Sequence, residues 1–497
     1  MPKLTINERE IEVEPGTPVI EAAKRLGFAI PHYCYHPGLT VAGSCRMCLV
    51  EIEKAPKLQI SCYTPVAEGM IVRTETAEVK QARQAMLEFL LINHPLDCPV
   101  CDQSGECELQ DYYMQHGLHP GVMQEAKVVK SKKAFPIGER ILLDQERCVL
   151  CSRCVRFTQE VSKTRDLGIF FRGDRSIVDT VEGKSLSGNY TGNLADICPV
   201  GALLDRDFRF KCRVWYLGSA DSICPGCSRG CNIRVEYNAS GRPHKAGGDR
   251  VMRLKPRLNP DVNGYWMCDV GRYGYKFIDS KDRLRAPTAP EGNGSGPITM
   301  EAALDLAAEQ IRSARGELSV IASPQMSNEE LLLTDRFFRV GLEVGAIPWR
   351  VPPPVPTEGD GILLQADRNP NTRGAELLDL DPAEADPEKT LSGRKGAVIF
   401  GHDLAGRPEW RSYLEKLEFI IYVGPLANET SGLASIVLPS AVYAEKEGTF
   451  TNFDGIVQRF HRALEPLGES LPEIEILQGL ARRLGVEIPS DDAAEVG

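Results

Sequence analysis

Fifteen of the sixteen cysteines fall, together with one histidine, into four tightly spaced groups within the first 270 residues. No other feature limits so strongly what the chain can fold into, because the side chains of each group must be brought to one place. Cys34, Cys45, Cys48 and Cys62 are spaced C-x10-C-x2-C-x13-C, and His94, Cys98, Cys101 and Cys107 are spaced H-x3-C-x2-C-x5-C. Cys148, Cys151 and Cys154 form C-x2-C-x2-C with a distal Cys198-Pro199, and Cys224, Cys227, Cys231 and Cys268 form C-x2-C-x3-C-x36-C. Only Cys212 is left over, and it is expected to be a buried thiol. Disulfide frameworks suit small secreted chains, whereas this one has 497 residues, is not expected to carry a signal peptide, and bunches its cysteines at gaps of two and three. Zinc ribbons also use C-x2-C pairs, so a zinc-stabilised structural scaffold stands as an alternative.

The Cys148 group separates iron from zinc. Three cysteines at successive two-residue gaps plus a remote Cys-Pro is the bacterial ferredoxin spacing for a 4Fe-4S cube. Four thiolates must converge on the cube from different sides, and this segment holds one triplet, so Cys198 is expected to close the same cluster. The Cys34 group keeps the close pair of plant-type 2Fe-2S ferredoxins, with a longer first gap and a shorter last one. Its surroundings predict a β-grasp. Leu4/Ile6 and Ile11/Val13 alternate as a hairpin, Thr17 caps a helix with Pro18 at its first position, and Ile20, Ala23 and Leu26 recur at helical spacing before Gly27. Residues 49–53 and 57–62 then read as strands framing the last ligand. In the second group Thr76 caps a helix whose Val79, Ala82, Met86, Phe89 and Leu90 face a core, and His94-Pro95 ends it. Only three cysteines lie near, so His94 is expected to supply the fourth ligand of a 4Fe-4S cluster. Neutral imidazole in place of thiolate removes one negative charge and raises the reduction potential, as in Rieske centres. His32 and His36, flanking Cys34, read as local loop residues.

In this order the motifs resemble those of the large iron-sulfur subunit of NADH-quinone oxidoreductase, respiratory complex I. The resemblance rests on Pro31-His32-Tyr33-Cys34-Tyr35-His36-Pro37, Gly43-Ser44-Cys45-Arg46-Met47-Cys48, Asn93-His94-Pro95-Leu96-Asp97-Cys98-Pro99, Gly105-Glu106-Cys107-Glu108-Leu109-Gln110 and Asp196-Ile197-Cys198-Pro199-Val200-Gly201-Ala202-Leu203. It implies one 2Fe-2S and three 4Fe-4S clusters, with electrons entering from an NADH/FMN-binding subunit and its 2Fe-2S partner. They would pass from the Cys34 centre to the Cys148 cubane, then to the His94 cubane, and leave toward quinone-side hydrophilic iron-sulfur subunits. The Cys224 cluster would lie off that path. The resemblance also implies a peripheral position on the cytoplasmic face of a bacterial plasma membrane, touching the membrane arm only indirectly.

Residues 276–497 hold no cysteine and read as α/β: a helix over 300–315, a strand at 318–322, a helix opened by Ser327, and strands at 361–365, 397–400 and 419–423. Pro352-Pro353-Pro354 with Pro356 marks a linker. Segments 366–375 and 437–452 resemble loops that hold the pterin in molybdopterin oxidoreductases. Yet the body has only about 220 residues and offers no cysteine after Cys268 as a molybdenum ligand, so no molybdopterin is expected. The same absence argues against the nearer alternative, an iron-sulfur or diaphorase-type subunit of an NAD-linked formate dehydrogenase or hydrogenase.

The expected architecture is a multidomain α+β and α/β chain. It comprises a 2Fe-2S ferredoxin-like β-grasp (1–76), a 4Fe-4S domain with one histidine and three cysteines (77–120), a 4Fe-4S ferredoxin-like domain (138–212), a molybdopterin-oxidoreductase-type 4Fe-4S domain (217–275) and a shortened α/β body (276–497). A net charge of −11 argues against nucleic acid, and the basic run 130–133 reads as a solvated loop. No apolar run reaches 18 residues, so no membrane span is expected. No G-x-G-x-x-G follows a strand, which assigns the nucleotide chemistry to a partner. No catalytic acid or base is expected, because a relay of electrons breaks no substrate bond.

Overall fold

A computed structural model describes residues 1–117, 121–241, 248–291, 294–353, 355–378 and 380–487. The chain separates into two units, Met1–Tyr216 and Leu217–Gly497.

In the first unit β1 (Lys3–Ile6) and β2 (Arg9–Glu12) form the expected hairpin, joined by β3 (Leu49–Ile52), β4 (Gln59–Ile60) and β5 (Met70–Arg73) in the order β2-β1-β5-β3-β4. The mixed sheet, with β1 parallel to β5, packs against α1 (Val19–Arg25). Leu4, Ile6, Val19, Ala22, Val50 and Val72 form its core together with Cys48 and Cys62. Each large aliphatic side chain there contributes about 1.5–3 kcal/mol through burial, which anchors two of the thiols in a rigid wall. The helix start departs from expectation. Pro18 occupies the cap position with no side-chain hydrogen bond, and the Thr17 hydroxyl instead donates to the Glu14 carbonyl at 2.8 Å.

The next helix, α2 (Ala77–Leu91), is capped by Thr76 as expected, its hydroxyl accepting from the Val79 amide. Its buried row is Val79, Arg83 and Leu87. Phe89, expected to face the core, is 68% exposed. At 100° per residue it lies on the far side of the helix from Leu87. Arg83 takes the buried position because Glu75 pairs with it at 2.9 Å. Two further helices, α3 (Glu108–His116) and α4 (Arg153–Glu160), each begin beside a cysteine of the motifs. The basic run is not simply solvated: Lys130 donates to the Asp174 and Ser176 carbonyls, Lys132 pairs with Asp179, and Lys133 pairs with Asp97.

The second unit opens with an antiparallel sheet of Leu217–Ile223, Asn232–Asn238 and Val251–Pro256. Beyond it Leu318–Ile321, Gly396–Phe400, Phe419–Gly424 and Ile436–Pro439 pair in parallel, and Thr288–Glu291 and Gly294–Pro297 add an antiparallel edge. Alternation along the strands is strict. Val398, Phe400, Ile421 and Val423 face the layer containing helices Met300–Ser313 and Glu473–Leu484, whereas Ala397, Ile399, Ile420 and Tyr422 face a second core with Trp410 and Leu414. Both faces are covered, as a parallel sheet requires. Ser327 forms a full capping box with Glu330. The strand expected at 361–365 is absent: the Asp360 carboxylate accepts from the amides of Ile362, Leu363 and Leu364, curling the segment into a loop. Pro354, within the expected linker, lies outside the described residues, as do 118–120, 242–247 and 488–497 of the expected domains.

His402 follows the strand Gly396–Phe400, and its Nε2–H donates to the Ala322 carbonyl at 2.9 Å. Burial pushes its pKa down to about 4. An unfolded histidine titrates near 6.5, so between those values the unfolded chain binds more protons and stability rises with pH. The contribution is complete above about pH 6.5 and is lost as pH falls toward 4, by about 1–3 kcal/mol. Protection from hydrogen exchange, taken relative to the intrinsic rate at each pH, should therefore fall at the amides of Leu318–Ile321 and Gly396–Phe400 between pH 7 and 5, and His402→Gln should remove that fall.

Candidate functional site

All sixteen cysteines are free thiols, and those of the four groups are buried except Cys45, Cys98 and Cys148, which are partly exposed. Cys34 faces Cys45 and Cys62 at hydrogen-bonding distance, and Cys62 faces Cys48. These four sulfurs arrive from the loop after α1, from a turn with left-handed Gly43 and Arg46, and from the ends of β3 and β4. Their mutual hydrogen bonds pull Cys34 down, with Cys45 as the largest influence, and push Cys62 up, with Cys34 as the largest. The Tyr33 amide donates to the Cys45 sulfur at 3.4 Å. His32 bonds the Ile30 carbonyl and His36 accepts from the Gly38 amide, the local roles expected of them.

Cys148, Cys151, Cys154 and Cys198 line one small cavity with Leu143, Val178, Val200 and Leu203. Leu150 and Ser152 both adopt left-handed backbone, at φ of 52° and 62°, and this curls the loop so that successive sulfurs turn inward. Such conformations cost a non-glycine residue about 1–3 kcal/mol each and persist where surrounding structure enforces them. Burial pushes the Cys148 and Cys151 thiols up to about 12. Burial outweighs the nearby Lys130, Arg153 and Arg156, so these thiols keep their protons and metal binding must release them.

His94, Cys98, Cys101 and Cys107 line a cavity of about 450 Å³. Burial, followed by the Arg147 charge, holds His94 down to about 4, so its imidazole is neutral at physiological pH, the state in which it can donate a lone pair to iron. Gly201 forms part of the wall, and a β-carbon there would stand 2.2 Å from the Cys101 sulfur. In the second unit Cys224, Cys227, Cys231 and Cys268 are all buried, with Cys224 and Cys231 tied by an amide-carbonyl bond of 2.9 Å. The Cys268 sulfur caps the helix Asp269–Tyr273 by accepting from Gly271, whose own missing side chain leaves room for Cys224: a β-carbon would come within 2.8 Å of that sulfur. These glycine-lined spaces, apolar walls and soft thiolate donors fit iron-sulfur clusters. Among the described residues no three His, Cys, Asp or Glu side chains converge to hold a single metal ion.

Five families match in succession: the 2Fe-2S iron-sulfur cluster binding domain over residues 2–77, the NADH-ubiquinone oxidoreductase-G iron-sulfur binding region over 83–120, the ferredoxin-like domain of NADH-quinone oxidoreductase subunit 3 over 138–204, the molybdopterin oxidoreductase Fe4S4 domain over 218–280, and molybdopterin oxidoreductase over 400–483. The G subunit of NADH-quinone oxidoreductase from Rickettsia bellii is 30% identical over 100% of this chain and 88% of its own length. The chain belongs to the family of NADH-quinone oxidoreductase G subunits. It is an iron-sulfur member of an oxidoreductase complex, and formate dehydrogenase and hydrogenase readings are not favoured. The corresponding G subunit of Streptomyces coelicolor is 34% identical over 99% of this chain, which spans 55% of that relative. The mitochondrial NADH-ubiquinone oxidoreductase 78 kDa subunit of Candida albicans is 28% identical over 99% of this chain and 84% of its own length.

Sequence reasoning missed the residues that fasten these sites to one another. Arg147 bonds Asp97, beside Cys98, at 2.9 Å, and Arg153 bonds Glu108, beside Cys107, at 3.3 Å and the Ile197 carbonyl, beside Cys198, at 3.2 Å. Their only signal was basic residues interleaved with the Cys148 triplet. Cys212, expected to be buried, is half-exposed, with its thiol donating to the Arg213 carbonyl. The polar residues of the pterin-like segments are engaged with one another: Asn328 bonds Thr449 and Thr451, Asn371 bonds the Met326 carbonyl and the Thr451 amide, and Lys446 pairs with Glu330 and Glu473. That engagement satisfies these polar groups within the body itself.

Gly201→Ala should displace Cys101, since overpacking against a fixed wall costs about 1–3 kcal/mol and the nearest atom is the Cys101 sulfur. The variant should lose about four iron atoms per chain, those of one cubane, while the 2Fe-2S signal persists; iron analysis with EPR checks both.

Proposed function

We propose that the chain is the electron relay of the peripheral arm of a proton-pumping NADH-quinone oxidoreductase, holding one 2Fe-2S and three 4Fe-4S clusters. The ligands are Cys34, Cys45, Cys48 and Cys62 for the 2Fe-2S centre. Three cubanes are assigned to His94 with Cys98, Cys101 and Cys107, to Cys148 with Cys151, Cys154 and Cys198, and to Cys224 with Cys227, Cys231 and Cys268. The working domains are 1–76, 77–120, 138–212, 217–275 and 276–497, the last acting as a scaffold without molybdopterin. The observation that carries this reading is that Cys148, Cys151 and Cys154 line one cavity with the distant Cys198 among apolar side chains, and that His94, Cys98, Cys101 and Cys107 line another beside Gly201.

Such clusters supply one-electron exchange with little nuclear rearrangement, at potentials set by ligand type, hydrogen bonds and burial. The chain's own part is to hold the ligands rigid, to exclude water from the thiolates and to fix the separations between neighbouring sets. Its partners are an NADH/FMN-binding subunit with its 2Fe-2S partner on one side, and quinone-side hydrophilic iron-sulfur subunits on the other, at the cytoplasmic face of a bacterial plasma membrane. Among the described residues no helix is long and apolar enough to cross a membrane.

Iron, zinc and molybdenum measured together on anaerobically purified protein should give about 14 iron atoms per chain, with neither of the other metals at stoichiometric level. Zinc in place of iron would end the relay reading, and stoichiometric molybdenum would revive the pterin one. Replacing His94 by Cys restores a fourth negative ligand, so the cubane should assemble with a lower midpoint potential in redox-poised EPR. An unchanged potential would remove His94 from the ligand set.

A further inference from the structure

The helix α4 carries Cys154 in its first turn, and two residues later Arg156 turns away from that cysteine's cavity into the ligand loop of a different site. Arg156 is 8% exposed. One amino group of its guanidinium, Nη2, donates to the backbone carbonyl of Cys34 and also to that of Cys151, the latter at 3.4 Å. The other, Nη1, donates to the carbonyl of Thr40, and Nε is held by the Ser152 hydroxyl at 3.2 Å. One turn further along α4, Glu160 accepts from the Thr40 amide at 2.9 Å and from its hydroxyl. A single buried cation therefore bonds the main chain of one ligand from the 2Fe-2S set and one from the Cys148 set, and α4 grips the loop between them at a second point.

We propose that Arg156 is the positioning residue of the first internal electron step, fixing the separation of the Cys34 and Cys148 sets and raising both reduction potentials together. This rests on the ligand sets assigned under the proposed function. The step moves one electron: the 2Fe-2S centre is oxidised and the neighbouring cubane is reduced, with NADH as the ultimate reductant. No bond is made or broken and no proton passes through the arginine. Two consequences follow from the chemistry of the side chain. The guanidinium is planar and presents its donors in a fixed fork, so it sets the spacing of the carbonyls it bonds, and electron tunnelling weakens steeply with added distance. It is also permanently charged in a water-poor setting, so it favours the reduced, more negative state on both sides. Lysine keeps the charge but, as a compact point donor on a flexible stem, cannot hold three carbonyls in one geometry.

The test uses the assembled complex with all its cofactors, comparing wild type, Arg156→Gln and Arg156→Lys by redox-poised EPR. The readouts are the two midpoint potentials and the relaxation enhancement that the reduced cubane imposes on the 2Fe-2S signal. In Arg156→Gln both potentials should shift downward together and the enhancement should weaken. In Arg156→Lys the enhancement should weaken while the potentials move less than in the glutamine variant. If either potential stays at its wild-type value in Arg156→Gln, or the enhancement is unchanged in both variants, the proposal is overturned. Should the glutamine variant fail to load iron, the lysine variant decides: weakened enhancement with both signals present supports the strap, and an unchanged one overturns it. Failure of both variants to load would make Arg156 a folding residue and also overturn the proposal. Wild-type protein lacking either signal would overturn the ligand assignment itself, a result separable from failure of the strap.

Discussion

Burying thiols costs little while they are protonated and a great deal once they are thiolates, and the sites depend on that difference. Burial holds the Cys148 and Cys151 thiols up to about 12 and Cys107 and Cys268 up to about 11. At neutral pH they keep their protons until a cation offsets the charge, so binding of the proposed clusters would release them. The rest of the first unit is arranged around that coupling. Leu150 and Ser152 are held left-handed, Gly201 leaves space against the Cys101 sulfur, and Arg147, Arg153 and Arg156 stand close by as fixed positive charges already bonded elsewhere. A cation that is committed to a carbonyl or carboxylate stabilises a neighbouring negative cluster without collapsing into it.

These three arginines also explain why the sites of the first unit cannot move independently. Each belongs to the segment that carries the Cys148 triplet, and each reaches the loop of another ligand set: Arg156 to Cys34, Arg153 to Glu108 next to Cys107, Arg147 to Asp97 next to Cys98. The Glu108 amide adds a bond to the Pro199 carbonyl at 3.0 Å, directly after Cys198. Exposed ion pairs contribute at most about 1 kcal/mol, but Arg147 and Arg153 are nearly fully buried, and hydrogen bonds to charged groups contribute about 1.5–3 kcal/mol. The energetic consequence is a single interlocked block in which displacement of one ligand loop is felt by the next.

What the sequence disclosed follows from how local each signal is. Cysteine spacing is a local record of loop geometry, so the sets that line the Cys148 and His94 cavities were legible in it, and the continuous apolar runs 397–400 and 419–423 marked strands that do lie in the sheet. Long-range bonds left no such record. Nothing in the sequence around Arg156 distinguishes it from a solvated arginine, because its partners lie 116 and 122 residues away. Apolar content misled where a polar neighbour intervened: Ile362, Leu363 and Leu364 look like a strand until the Asp360 carboxylate takes their amides. Phe89 failed for a different reason, since the buried row runs through Val79, Arg83 and Leu87 and Phe89 lies on the opposite face of the helix.

The body of the second unit is pinned by a buried cluster of charges. Lys446 is enclosed with Glu330 and Glu473 at 2.8 and 2.6 Å, so one positive charge faces two carboxylates. Burial pushes Glu473 up to about 8, and it therefore carries the proton that brings the group near neutrality. Breaking a buried pair by removing one partner costs about 3–5 kcal/mol, so such a cluster is retained once formed, whatever its origin. Glu330 also closes the capping box of the helix that Ser327 opens, and Glu473 begins the helix that covers the sheet. Lys446, within the segment that resembles a pterin loop, thus ties together two helices that cover the sheet of this body.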